Sequence, residues 1–514
     1  MAGRTMPSAE RKEVHILPEH RHRWVTRRRL GLVLGPALFA LCAWNMPDVT
    51  PKDVVGIADQ RAGALVAGTL CLMAVWWMTE VLPLYVTAFI PLVAFPLLHV
   101  TPRIDEAAAP YANKTIFLFL GGFVLAMAME RWNLHRRVAI WVVSVVGSKP
   151  RGVIFGFMAA TSFLSLWVSN TATAVMMLPI ATSVLKLVES VTKRQDRKFQ
   201  VGMMLAIAYG ASIGSFGTPI ASPPNGIALG YLAEQGIDIS FFDWMKLGIP
   251  LWAVFLVIGW ALLAFVSCPP SWNEPIPGHK EVMRAELAKL GPFRGPERRV
   301  GVVFLICAFA WITHGFIEDW LGLENTGISD ELIAVAVVFV LFLTPVSFKR
   351  PGRALMNWGD LRDLPWGILY LFGGGLSVAA QVDASGLAAW IGQQVRGLGT
   401  LPTFWLILTC CLLTWIITEF MSNTAAAATL IPLFGSVALA LGRSPALLAL
   451  PVAMAASCAF MMPAGTPPNA VAYSSGMLRI TDMNKAGVLI AIAGCIMVAV
   501  NMFFWGHLVL HLGG

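Results

Sequence analysis

Charge is scarce in this chain. Of its 514 residues only 13% are Asp, Glu, Lys or Arg, where ordinary soluble domains carry about 25%, and 57% are hydrophobic. That balance excludes a string of soluble domains. Strict two-residue alternation of apolar and polar residues is missing too, which excludes a membrane barrel. What recurs is long apolar runs rich in Leu, Ala, Val and Phe, and a hydrocarbon core of about 30 Å needs roughly 20 such residues per helical crossing. The chain reads as an all-α polytopic membrane protein. The eight cysteines, among them Cys42, Cys71, Cys307, Cys410, Cys411, Cys458 and Cys495, lack metal-ligand spacing, so neither structural zinc nor a disulfide framework is expected. The net charge of +8 is gathered in short segments between apolar runs, the signature of cytoplasmic loops. No nucleic-acid partner is expected, because the Trp residues are membrane-boundary anchors and no phosphate-loop Lys follows the Gly residues at 121–122 and 373–375.

Within the apolar stretch 416–433 stands a polar triplet, Ser422, Asn423 and Thr424, and a near-copy, Ser169, Asn170 and Thr171, occurs earlier. Each is preceded by a hydroxyl one helical turn upstream, Thr418 and Ser165. Downstream come Gly217-Thr218-Pro219 with Pro223-Pro224-Asn225, and Gly465-Thr466-Pro467-Pro468-Asn469. Upstream, Gly122 lies 47 residues before Ser169 and Gly374 lies 48 before Ser422. Three elements thus recur in the same order at an offset of about 250 residues. Ser, Thr, Asn and Gly in membrane helices commonly serve helix packing; ordered repetition points to a site instead.

Counting spans from the basic residues gives a topology. Residues 1–29 are polar and basic, too long and too charged for a secretory signal, and are expected to be a cytoplasmic tail before a first span at about 30–42. Residues 47–60 fall outside, 63–100 cross twice with a turn near Glu80 and Pro83, 101–112 stay outside, and a fourth span near 115–129 ends at Arg131, His135, Arg136 and Arg137 inside. The stretch 151–188 has basic residues on both flanks, Lys193, Arg194, Arg197 and Lys198 among them. A single crossing places one flank outside, so a re-entrant hairpin with the triplet at its tip is expected, and broken backbone at that depth requires surrounding protein or a cavity. The segment 199–232 reads as two half-helices meeting at the Gly-Thr-Pro stretch. A span at 249–267 and a cytoplasmic connection at 268–299 close the first half. The second half continues with spans at 300–316, 330–346 and 365–380, a hairpin at 399–440 opening outward, a broken span at 444–475 and a last span at 486–508. Eleven crossings and two hairpins result, with the amino terminus cytoplasmic and the carboxyl terminus external. The two repeats come out inverted, the usual architecture of a secondary transporter, in which interrupted helices mark the binding site.

A helix that starts at such a triplet offers free backbone N–H groups beside Ser, Asn and Thr side chains and attracts an anion. Two opposed tips suit a solute with a carboxylate at each end, and a single sulfate or phosphate also satisfies the chemistry. Broken helices expose carbonyls as well, and with neutral side-chain oxygens these suit Na⁺. No Asp, Glu or His belongs to the repeated motif, which argues against a proton relay. Glu80 and Glu419, each in a Thr-Glu pair, are expected at a helix end or in a protein-internal pair.

In both triplets, in the stretch from Ser212-Ile213-Gly214 to Asn225, and in that from Ala456-Ser457-Cys458-Ala459-Phe460 to Asn469, the chain resembles the divalent anion/sodium symporters, carriers of di- and tricarboxylates and sulfate. The resemblance covers nearly everything from about residue 30 onward. It implies a first sodium site at Ser165, Ser169 and Asn170 with a carbonyl from 214–217, hence Gly214 and Gly217, and a second at Thr418 and Asn423 with carbonyls near Met421 and Gly465. Substrate carboxylates are then expected at Ser169, Asn170, Thr171, Thr218, Ser422, Asn423, Thr424 and Pro467. It further implies a homodimer in a bacterial inner membrane, working by an elevator motion. The implied organisation is a tail at 1–29, scaffold helices at 30–112, first-repeat transport elements at 113–248 with the inner hairpin 151–188, scaffold helices and connection at 249–364, and second-repeat transport elements at 365–514. Two positions depart from the family pattern: Ala221 stands where relatives often have Gly, and Met421 where a smaller residue is common. Triplets ending in Thr lean, in this family, toward C4-dicarboxylates.

The expected function is sodium-coupled import of succinate, malate or fumarate, with roughly two or more sodium ions carried along. Sulfate or tricarboxylate symport and dicarboxylate exchange are the alternatives within transport. A membrane-embedded enzyme needs a catalytic base or nucleophile facing the cavity, and His135 and His507 lie outside the repeated core.

Overall fold

The computed structural model describes residues 18–47, 61–192, 196–293, 295–322, 327–347, 352–394 and 401–510. The protein is built of helices, and its lone β-bridge among the described residues joins Pro345 and Ala354. Seven helices among the described residues are long and apolar enough to cross a membrane, or eight when the bent pair Ile104–Ala112 and Lys114–Arg131 counts as one. The fold is that of an all-α polytopic membrane protein. Two of the seven, Asn170–Ser190 and Asn423–Ala440, fall in the stretches expected as hairpins, while the expected spans at 330–346 and 444–475 hold helices too short to be counted, Asp330–Leu343 with 14 residues and Ala446–Ala456 with 11 before Pro467–Ser474 with 8.

Several boundaries differ from the sequence expectation. The first helix is Pro18–Asn45, so it begins well inside the basic stretch assigned to a tail; Pro is favourable at a helix start, and Arg is a good helix former once outside the apolar layer. The segment expected outside at 101–112 is helical from Ile104: Asp105 and Glu106 occupy the first turn of Ile104–Ala108, and a 3₁₀ turn, Ala109–Ala112, leads into Lys114–Arg131 at a bend of 40°. The last span is Ile480–Val500, continued by a π-helical turn, Asn501–Gly506. Residues 1–17 of the basic tail, most of the outer segment 47–60, and Lys193, Arg194, Lys349 and Arg350 lie outside the described residues.

The repeated Gly motifs meet through their Phe residues. Phe119 and Phe372 pack edge to face with ring centroids 4.9 Å apart. At Gly121 a Cβ would come within 2.3 Å of the Ala334 carbonyl, and at Gly374 within 2.4 Å of the Ala88 carbonyl. Only Gly permits such approach, so these residues serve helix packing. The charged connection is pinned to the helix Leu134–Val145 by Arg137, whose Nε donates at 2.5 Å to Glu297, and by Arg136, whose Nη2 donates at 3.2 Å to Glu286.

Candidate functional site

Both triplets fall where one helix ends and the next begins. In the first half Pro150–Ser165 stops at Ser165, four residues link, and Asn170–Thr192 starts at Asn170. In the second half Thr403–Thr418 stops at Thr418 and Asn423–Ala440 starts at Asn423, with Ser422 in the N-cap position. The chemistry of Ser and Asn explains the placement, because their short polar side chains compete with the backbone mid-helix and favour helix starts. Each first helical turn is closed through the triplet: the Ser169 carbonyl accepts from Thr173 N at 3.0 Å and the Ser422 carbonyl from Ala426 N at 2.9 Å.

Behind each triplet lies an interrupted helix. Arg197–Gly214 gives way to an irregular stretch with one 3₁₀ turn, Pro219–Ala221, before Pro223–Glu234. Ala446–Ala456 gives way to ten non-helical residues before Pro467–Ser474. The same device holds both breaks. Asn225 Nδ2 donates to the carbonyls of Ser215 at 2.8 Å and Thr218 at 3.0 Å. Asn469 Nδ2 donates to those of Ala459 at 3.1 Å and Met462 at 3.0 Å. In each half the acceptors stand 10 and 7 residues upstream of the Asn. Two breaks with the same internal bonding are one motif used twice.

The halves interlock crosswise. Pro223–Glu234 of the first packs on Asn423–Ala440 and Ala446–Ala456 of the second, while Pro467–Ser474 packs on Asn170–Thr192 and Arg197–Gly214 of the first. Ser222 Oγ and Ser457 Oγ meet at 3.4 Å in the buried seam. The helix that starts at each triplet is thereby packed beside the other half's broken helix.

The sequence-assigned residues sort by depth. Ser169 and Pro467 are exposed, and Asn170, Thr171, Ser422, Asn423 and Thr424 are half-buried. Thr218 differs: it is fully buried, and its hydroxyl donates to the Leu166 carbonyl, fixing the hairpin link and leaving no proton for a solute. The residues assigned to cations, Ser165, Gly214, Gly217, Thr418, Met421 and Gly465, are buried; Ser169, Asn170 and Asn423 are shared between the two sets. Asn170 Nδ2 donates to Ser215 Oγ at 2.7 Å, which turns the amide oxygen away from that bond. Ser165 Oγ, Asn170 Oδ1, Thr173 Oγ1, Asn225 Oδ1 and Asn469 Oδ1 are buried without a hydrogen-bond partner. Buried polar atoms are ordinarily bonded, so these oxygens, distributed over both halves, are the polar atoms here whose bonding the protein itself does not complete. In the second half the Thr418 hydroxyl lies 2.9 Å from the Ala456 carbonyl and 2.8 Å from Asn423 Oδ1. Among the described residues no group of three or more His, Cys, Asp or Glu is placed to hold a metal ion. The unpartnered oxygens at these units are neutral ones.

Three residues had no assigned role in the sequence. Asn225 and Asn469 carried the signal in their equal placement after Pro-Pro. Trp167, in the first hairpin link, stacks on Phe241 at 6.2 Å and meets Phe304 edge-on at 5.0 Å; nothing in its local sequence marks it. Glu80 and Glu419 do cap helices, at the ends of Ala62–Thr79 and Thr403–Thr418.

A family model described as the sodium:sulfate symporter transmembrane region matches residues 55–512. The chain belongs to the divalent anion/sodium symporter family. Within it, the chain is similar to the sodium-dependent dicarboxylate transporter SdcS of Staphylococcus saprophyticus, 37% identical over 483 residues that cover 92% of this chain and 91% of the relative. The protein of the same name from Staphylococcus aureus strain MRSA252 is 36% identical over 487 residues, covering 93% and 91%. Two solved structures share the fold of this symporter-family chain. The YdaH transporter of Alcanivorax borkumensis has a TM-score of 0.52 at 18% identity, covering 96% of this chain and 99% of its own. MtrF of Neisseria gonorrhoeae has 0.57 at 15%, covering 94% of each.

Proposed function

We propose that this protein is a secondary transporter that imports C4-dicarboxylates such as succinate, malate and fumarate together with sodium across a bacterial inner membrane. The observation that carries the reading is identity of 36–37% over more than nine tenths of the chain to relatives named sodium-dependent dicarboxylate transporters. The site geometry supports it. Two helix starts bearing Ser-Asn-Thr present N–H groups to a dianion from two sides, and the buried oxygens behind them suit a hard cation. Bound sodium offsets the charge of the solute, which couples the two fluxes.

In this reading the solute is held by Ser169, Asn170, Thr171, Ser422, Asn423, Thr424 and Pro467, with Thr218 supporting the link from behind. Sodium is held by Ser165, Ser169, Asn170, Gly214 and Gly217 in the first half and by Thr418, Met421, Asn423 and Gly465 in the second, giving two sites or more. The pairs Pro150–Ser165 with Asn170–Thr192 and Thr403–Thr418 with Asn423–Ala440 act as re-entrant hairpins of inverted repeats, completing an eleven-span topology with a cytoplasmic amino terminus. Together with the broken helices they form a transport unit (113–248 and 365–514) that moves as an elevator against scaffold helices (30–112 and 249–364) in a homodimer. Uptake of labelled succinate into proteoliposomes with and without an inward sodium gradient tests this. Strict dependence on internal dicarboxylate would instead indicate exchange, and preference for sulfate over succinate would move the substrate to the other branch of the family.

A further inference from the structure

The two broken helices differ in one respect. In the first, the N–H groups of Phe216 and Gly217 are met by the carbonyls of Ile213 and Gly214, three residues back, as the helix tightens. The second break is longer, and the N–H groups of Phe460, Met461 and Met462 are met by one side chain, Glu419. Its Oε1 accepts from Phe460 N and Met461 N, both at 3.0 Å, and from the Trp415 indole at 3.1 Å. Its Oε2 accepts from Met461 N at 3.2 Å and Met462 N at 3.1 Å. The residue is buried, at 5% exposure. The corresponding residue one place after Ser165 is Leu166, which has no such group. The carboxylate also reaches Gly465, where a Cβ would stand 3.4 Å from Oε2.

We propose that Glu419 is a positioning residue of transport, fixing the stretch 459–462 against the second hairpin tip so that the oxygens around Thr418 and Gly465 hold a cation. The proposal rests on the sodium-coupled reading above. Asn469 holds the carbonyls of Ala459 and Met462 from one side while Glu419 holds the intervening N–H groups from the other. The peptide planes of the break are therefore set from both sides before an ion arrives, which is how outer contacts tune a site. The carboxylate is next in sequence to Thr418, whose hydroxyl faces the Ala456 carbonyl and Asn423, so two adjacent residues tie the hairpin end to the start of the break and to its middle. Glu419→Gln is nearly the same size, but its amide group must face one of the N–H sets, donor against donor.

The test is sodium titration of succinate uptake in proteoliposomes by the wild-type protein, Glu419→Gln and Trp415→Phe, with the amount of reconstituted protein measured in each. Wild-type uptake that ignores sodium overturns the sodium-coupled reading, and the proposal falls with it. Given a sodium-dependent wild type, Glu419→Gln is expected to raise the half-saturating sodium concentration about tenfold, the scale of a lost charged hydrogen bond. A merely structural role lowers only the maximal rate, so an unchanged sodium midpoint in Glu419→Gln overturns the proposal. If that variant is not recovered folded, Trp415→Phe decides, because it removes one donor and keeps an aromatic side chain at that position. A rise of about threefold in its midpoint supports the assignment, and a wild-type midpoint overturns it.

Discussion

Gly214→Ala is the sharpest mechanical probe of the first half. A Cβ at this position would lie 2.4 Å from the Ser162 carbonyl and 2.5 Å from Ser165 Cβ, whereas ordinary contact starts near 3.4 Å. The helices Pro150–Ser165 and Arg197–Gly214 must therefore separate by about 1 Å at the end where Ser165 sits. Overpacking of this kind costs about 1–3 kcal/mol, which a large membrane protein tolerates, while a displacement of that size at a ligand oxygen lowers metal affinity about 10-fold or more. The assay is succinate uptake against sodium concentration, with thermal unfolding of the purified protein in parallel. The comparison variant is Gly210→Ala, one helical turn away, where a Cβ would lie 2.6 Å from the Met158 carbonyl. Both variants should lose similar stability, and only Gly214→Ala should shift the sodium midpoint strongly. Equal midpoints in both variants and the wild type would refute the claim that this close approach sets the cation site.

Other expectations follow from the same geometry. Asn170→Ala and Asn423→Ala should each abolish transport while leaving membrane insertion intact; wild-type uptake by both, measured at matched protein levels, contradicts the assigned roles. Ser165→Ala removes a buried oxygen that has no hydrogen-bond partner, so unfolding without sodium should be unchanged or slightly later, while sodium should no longer stabilise the protein as it does the wild type. Asn225→Ala and Asn469→Ala should each free two carbonyls at a break and reduce uptake at least tenfold, and a variant with full uptake shows that the break holds itself. In the charged connection, burial pushes His279 below its ordinary value of 6.5, with Glu281 opposing. The neutral ring is favoured in the folded state, so stability is lost as pH falls through 6.5, and His279→Gln should show a shallower fall in unfolding temperature between pH 7.5 and 5.5.

Much of this organisation was legible because it rests on local chemistry. Ser, Asn and Thr inside an apolar run mark helix ends by their competition with the backbone, and both triplets do lie at helix boundaries. Gly and Pro marked the two breaks for the same local reason. What could not be read is set by tertiary partners. Thr218 belongs to a repeated motif, yet its hydroxyl is taken by Leu166, a bond decided by how the hairpin link docks. Glu419 was visible as a charge in an apolar run, but its three backbone donors lie more than 40 residues onward. The segment 101–112 was placed outside without a secondary structure, although acidic residues in a first turn favour a helix.

The central claim, that sodium and a dicarboxylate cross together through paired triplet-bearing helix starts, meets its most direct test in purified protein reconstituted into sealed vesicles. Labelled succinate should accumulate only when sodium is higher outside than inside, and collapse of that gradient should stop accumulation. Accumulation at the same rate with sodium replaced by potassium or choline on both sides would contradict the account.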